Sequence, residues 1–104
     1  MDLKQVWQSV EKKNIEWKKH ALARMIERGI TRIEVKRIIK TGIIIENYSH
    51  DQPYPSALLL GNVGDRALHA VISYNEKTEK VFVITVYEPD PDIFCDDFKT
   101  RRDD

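Results

Sequence analysis

Apolar positions along the chain fall into two regimes, with helical spacing up to about residue 41 and strand-like spacing after it. Leu3, Val6, Trp7 and Val10 recur at three- and four-residue intervals, which predicts a first short helix ending near Lys12-Lys13-Asn14. From Trp17 a second helical stretch puts Ala21, Leu22, Met25 and Ile26 on one apolar face. Gly29 suits the left-handed residue that follows a helix end. Thr31 with Glu34 forms a capping box, and Ile30 with Val35 a hydrophobic staple around the same turn. Val35, Ile38 and Ile39 give this third helix its buried stripe, and Gly42 stops it. The short Gly29-Ile30-Thr31 link predicts that the second and third helices pack close together.

After Gly42 the period changes. Strands are predicted over 43–48, 56–62, 66–74 and 80–87, separated by the polar loop 49–55, the Gly64-Asp65 turn and the hairpin loop 75–79. In the third of these, Leu68, Ala70 and Ile72 alternate with His69, Val71 and Ser73, so the two sets face opposite sides of a sheet. Short connections predict antiparallel neighbours. Pro89 and Pro91 break the sheet, Ile93, Phe94 and Phe98 anchor a C-terminal turn, and 99–104 reads as a loose tail. The expected architecture is one α+β domain over 1–104, with N-terminal helices packed on a four-stranded antiparallel sheet.

Composition narrows the setting. The 104 residues suffice for one modest core, and 41% hydrophobic with 33% charged residues is globular rather than disordered. No apolar run approaches the roughly 20 residues that span a bilayer, and Met1-Asp2-Leu3-Lys4-Gln5 lacks a secretory pattern. Cys95 is the single cysteine, which excludes an internal disulfide and a cysteine-based zinc site. A cytoplasmic protein without a membrane partner is the expectation. Net charge is zero but unevenly placed. Residues 1–40 hold eleven Lys/Arg against five Asp/Glu, and residues 41–104 hold six against twelve. The basic half suits an anion such as a phosphate backbone. It equally fits helices that expose Lys and Arg beside loops that expose Asp.

Four groups of residues offer chemistry. His20, Arg24 and Arg28 stand at i, i+4 and i+8, one strip of one helix. Guanidiniums bind phosphate oxygens in pairs, and an imidazole moves a proton near neutral pH. The same strip also reads as a solvated face with Glu27 as counter-ion. His69 sits mid-strand, either as a satisfied strand histidine or as a proton carrier opposite the helix strip. Thr85 and Tyr87 share a strand face, where Tyr87 would orient a phosphate or stack on a base. Arg101-Arg102 is a basic pair surrounded by Asp90, Asp92, Asp96, Asp97 and Asp103. Phosphate loops, dinucleotide fingerprints, zinc-protease motifs, calcium loops and nucleophile elbows have no counterpart in the sequence.

Five runs in order carry a family resemblance: His20-Ala21 through Arg24-Met25-Ile26-Glu27-Arg28-Gly29-Ile30; Gly42 to Tyr48; Pro55-Ser56-Ala57-Leu58-Leu59-Leu60-Gly61; Arg66-Ala67-Leu68-His69; and Thr85-Val86-Tyr87-Glu88-Pro89-Asp90. The chain resembles the bacterial and archaeal domain of unknown function 4258 over about residues 17–102, departing at Phe94, where that family often has Trp. The family in turn resembles RelE-like toxins, small ribonucleases with helices packed on an antiparallel sheet. The resemblance implies a RelE-like, BECR-type fold and a metal-independent endoribonuclease of a type II toxin–antitoxin pair. No cofactor is then expected, RNA is the substrate, and a zinc-finger or helix-turn-helix antitoxin is the partner. The catalytic set it suggests is His20 and His69 as proton carriers, Arg24 and Arg28 on the phosphate, and Tyr87 as a positioning group. Two alternatives stay open: a non-catalytic module that binds protein or nucleic acid, and a fastening role in which Arg28 pairs with Asp90 or Glu88.

Overall fold

The computed structural model describes residues 1–103. Three helices, α1 (Leu3–Glu11), α2 (Lys19–Arg28) and α3 (Arg32–Thr41), cover one face of a sheet. Its strands are β1 (Ile15–Trp17), β2 (Ile43–Tyr48), β3 (Ser56–Val63), β4 (Arg66–Asn75) and β5 (Lys80–Tyr87), in the order β1-β5-β4-β3-β2. Four of these are the expected antiparallel ladder. The fifth corrects the expectation: β1 joins the edge in parallel with β5, Ile15 opposite Val81 and Trp17 opposite Val83, so the sheet is five-stranded and mixed. Three residues are too few to show a strand's alternation, and the pairing partner lies at the far end of the chain. Asn14 secures this edge by donating from its side chain to the carbonyls of Thr78 and Glu79 at 2.9 and 2.8 Å.

Local signals account for the helix ends. The Asp2 carboxylate accepts from the Lys4 amide at 2.9 Å and caps α1. Gly29 ends α2 with φ of 64°. The Thr31–Glu34 capping box forms with both bonds, 2.8 and 3.1 Å, and Ile30 and Val35 are both buried. Two expectations about packing are corrected. Ile26 is 82% exposed rather than part of the core, because Ala21 and Met25 are the α2 side chains that reach it. α2 packs on β5, while α3 packs on β3 and takes α1 as its helical neighbour.

The core lies between the helices and the sheet. Val6, Val10, Ala21, Met25, Val35, Ile38 and Ile39 meet Ala57, Leu59, Leu68, Ala70, Ile72, Val81, Val83 and Val86. Ser9 and Tyr74, both buried, satisfy one another's hydroxyls at 3.2 Å. α3 approaches β3 closely because two glycines leave room. A Cβ on Gly61 would stand 3.0 Å from Ile38 side-chain atoms. One on Gly42 would stand 2.5 Å from the Ile38 carbonyl oxygen and 2.6 Å from that of Leu60. These are backbone atoms fixed by a helix and a strand, so neither gives way. Gly42→Ala is therefore expected to destabilise the fold by about 1–3 kcal/mol. The check is urea denaturation, with a lower midpoint at an unchanged slope.

Candidate functional site on the outer face of the sheet

Two single-residue bulges decide which side chains share a face with His69. Between β2 and β3 the register runs Ile43–Leu60 and Ile44–Leu59, then skips Ile45 and resumes at Glu46–Leu58. Without the skip, Glu46 would face Ala57 and the helices; with it, Glu46 faces away from them. Between β4 and β5 the pairs Ile72–Val83 and Val71–Thr85 leave Ile84 as the extra residue. That shift brings Tyr87 opposite His69 on the same outer face. Tyr48, two residues beyond Glu46, joins them.

Residues 89–103 form a strap across this face. Its turn is tied by Cys95 N–H to the Thr100 carbonyl at 2.8 Å and by Phe98 N–H to the Cys95 carbonyl at 2.9 Å. The Asp97 carboxylate accepts from the Lys99 and Thr100 amides and the Thr100 hydroxyl at 2.9, 3.0 and 2.9 Å. The turn holds Phe98 at φ of 57°, a region that bulky side chains rarely adopt. Its carbonyl is thereby presented to His69, whose Nε2 donates to it at 2.7 Å.

That bond fixes the tautomer. A carbonyl oxygen only accepts, so Nε2 carries the proton. In the neutral ring Nδ1 then accepts from the Tyr87 hydroxyl at 3.3 Å. Phe94 and Tyr87 pack edge-on against the imidazole, centroids 4.6 and 5.3 Å away. His69 is 0% exposed, and burial pushes its pKa down against the opposing pull of the Phe98 carbonyl and Glu46. Burial raises the Tyr87 phenol, with the Arg101 and Arg28 charges opposing. At neutral pH the pair is therefore a neutral imidazole beside a protonated phenol.

The other half of the cluster is ionic. Arg101 donates from Nε and Nη2 to the two Glu46 oxygens at 2.8 and 3.1 Å, a bidentate fork, while its guanidinium lies 4.9 Å from the Phe94 ring centroid. The Tyr48 hydroxyl donates to the same carboxylate. The Arg101 hydrogen bond holds Glu46 below the usual carboxylate range, with burial opposing. Together the cluster presents one proton acceptor, one proton donor, a carboxylate and a guanidinium within a covered space. Among the described residues no group of three His, Cys, Asp or Glu is placed to hold a metal ion. No described helix is long and apolar enough to cross a membrane.

The residues singled out from the sequence separate into two sets. His69 and Tyr87 meet. Arg28 reaches β5, the strand of Tyr87, donating from Nη1 to the Val86 carbonyl at 2.8 Å, and its charge is felt at the Tyr87 phenol. Arg24 pairs with Glu27 at 3.0 Å in solvent. His20 is exposed on α2, and no hydrogen bond or ion pair among the described residues joins it to the cluster. Arg28 does not pair with Glu88, whose carboxylate is held by Arg66 at 2.9 Å. The tail expected to be loose is anchored at Arg101 and, through Arg102, on the Pro91 carbonyl at 2.7 Å. Asp104 lies outside the described residues. Arg101 was singled out as half of a basic pair, but Glu46 and Tyr48 were missed and so was the Glu46–Arg101 pairing, since nothing local marks two residues 55 positions apart as partners.

The lowered His69 pKa has a sign. Below its ordinary value of 6.5 the unfolded chain takes up a proton that the native state refuses. Stability from this group is thus complete above pH 6.5 and declines as pH falls from there through the native pKa. His69→Gln should remove the loss that sets in as pH falls below 6.5 in denaturant titrations, apart from any constant offset. In a second measurement, Glu46→Gln should speed hydrogen exchange at the Cys95 and Arg102 amides of the strap, roughly fivefold for one weakened, partly exposed contact. Helix-layer amides should be unchanged.

Residues 17–88 match the family described as Domain of unknown function (DUF4258). The matched span carries α2, α3, Glu46, His69 and Tyr87 and stops before the strap. No curated protein and no solved structure matches this chain. Because the matched span takes in well over half of the 104 residues, the chain belongs to the DUF4258 family.

Proposed function

We propose that the chain is a metal-independent endoribonuclease of the RelE-like, BECR-type class, acting on the sheet face turned away from the helices. The observation that carries this reading is the convergence of His69, Tyr87, Glu46 and Arg101 at one place, with Arg28 beside it. RNA supplies its own nucleophile, so such a site needs only proton transfer and charge stabilisation. His69 Nδ1 takes the proton of a 2′-hydroxyl as its oxygen bonds to the adjacent phosphorus. The bond from phosphorus to the 5′-oxygen breaks, and Tyr87 protonates that leaving oxygen. The proton then returns from His69 to Tyr87 along the bond that joins them. Arg101 and Arg28 balance the charge that builds on the phosphate, and Glu46 orients Arg101. Substrate reaches His69 when the Phe98 turn lifts, since the imidazole is sealed beneath it. As the toxin of a two-protein pair, the chain takes RNA as substrate and a zinc-finger or helix-turn-helix antitoxin as partner. His20 and Arg24 lie outside this machinery.

The test is cleavage of a labelled RNA in EDTA, followed by detection of 2′,3′-cyclic phosphate ends. His69→Ala and Tyr87→Phe are each expected to slow cleavage by about 10²-fold or more, and Arg101→Ala by about 10²–10³-fold. His20→Ala and Arg24→Ala should retain the wild-type rate. Growth arrest on expression should follow the same pattern.

A second reading has its own support. Both ring nitrogens of His69 are already occupied, Arg24 is ion-paired, and His20 stands apart, as a non-catalytic binding module requires. Absence of cleavage by a wild-type chain that is folded and shows the His69-linked pH dependence would decide for that module.

A further inference from the structure

Apart from Arg28, the positive charge of residues 1–40 is not used by the sheet-face site, and the fold gathers much of it on α3. Arg32, Lys36 and Lys40 stand at i, i+4 and i+8, a single row about 12 Å long on a helix rising 1.5 Å per residue. Arg37 flanks that row. Among the described residues none of these four lies within 4 Å of a carboxylate, although the chain holds seventeen acidic residues. Two of the four are positioned by aromatic rings: Arg32 lies 5.6 Å from the Trp17 ring centroid and Lys40 lies 5.5 Å from that of Trp7. Between Trp7 and α3 the surface sinks into a groove of about 520 Å3 lined by Trp7, Ile33, Lys36, Arg37, Lys40 and Thr41, with no acidic residue.

We propose that this groove and the outer row of α3 form a second binding surface, which takes the phosphate backbone of a single-stranded nucleic acid. Three cations in a row, with Arg37 beside them, match a repeating anion, and neutralising each phosphate releases a condensed counterion. Lys40 covers one face of Trp7, and three of the six residues that line the groove are cations, so an anion is the ligand its charge favours. Ile33 alone is exposed there, and a single exposed isoleucine does not make a protein-binding patch. The surface lies on the helix layer, apart from His69 and Tyr87, and works whether or not the sheet face cleaves RNA.

The experiment uses the whole chain and a fluorescent 20-nucleotide oligodeoxyuridylate. This probe lacks a 2′-hydroxyl, so it cannot be cleaved by the route proposed above, and failure of binding is distinct from failure of cleavage. With four phosphate contacts, affinity measured by anisotropy should fall about 50-fold between 50 and 200 mM salt. Lys36→Gln/Arg37→Gln/Lys40→Gln should lose most of the binding and reduce that salt effect to about threefold. Lys12→Gln/Lys77→Gln/Lys99→Gln makes the same charge change on exposed residues outside the groove and should retain the steep salt dependence. Thermal melts confirm that both triple variants are folded. In a Trp17→Phe chain, Trp7 is the one remaining tryptophan, and its emission should change on binding. Equal losses in the two triple variants, or no binding at 50 mM salt, would overturn the proposal. So would poly-glutamate binding more tightly than the oligonucleotide, which would assign the surface to an acidic peptide.

Discussion

Side chains of a strand alternate strictly between two faces, and that parity is the constraint on which the polar cluster depends. Continuous ladders would send Glu46 toward Ala57 and the helices, and would place Val86, not Tyr87, opposite His69. One extra residue in β2, Ile45, and one in β5, Ile84, reverse the parity beyond them. The carboxylate and the phenol are thereby moved out of an apolar core and onto the face of the imidazole. The cost is two interruptions of the ladder. The alternative, an ionised glutamate under α3, would cost far more.

The same parity explains the strap. β3 is buried from Ser56 to Gly61, so both of its faces must be covered. Helices cover Ala57, Leu59 and Gly61, but Leu58, Leu60 and His69 face the other way. Phe94 and the Phe98 turn cover His69, and the contacts that secure them are those that hold the His69 tautomer and the Glu46–Arg101 pair. Structural closure and candidate chemistry thus share the same atoms. A solvated site would have left His69 near its ordinary pKa, whereas the covered one keeps the ring neutral.

What could be read from the sequence was local. Capping residues, the left-handed Gly29 and the alternation through 66–74 located the second and third helices and four strands, because each signal is contained within a few residues. Their bounds agree with the structure to within one or two positions. The opposition of His69 to Leu68, Ala70 and Ile72 was legible for the same reason. β1 was not, because its pairing depends on residues 81–83 and its own three positions carry no pattern. Ile26 has the spacing of a core residue, but the direction in which α2 docks on β5 is decided by tertiary contact alone. The partners of His69 required knowing where a bulge falls, and neither Ile45 nor Ile84 differs in kind from its neighbours. Family membership follows from the match over residues 17–88, while the chemistry rests on the site itself.

The parallel seam between β1 and β5 sets an order of events at the ribosome. Val81, the partner of Ile15, is made 66 residues after it. At the usual elongation speed of about 5–20 residues per second, that delay is about 3–13 s. Throughout it α2 lacks the strand it packs on and β1 lacks its only pairing partner, so Met25 and Trp17 wait longest for cover. α2 and β1 are therefore the elements that stay longest without a partner, and the arrival of β5 ends that exposure.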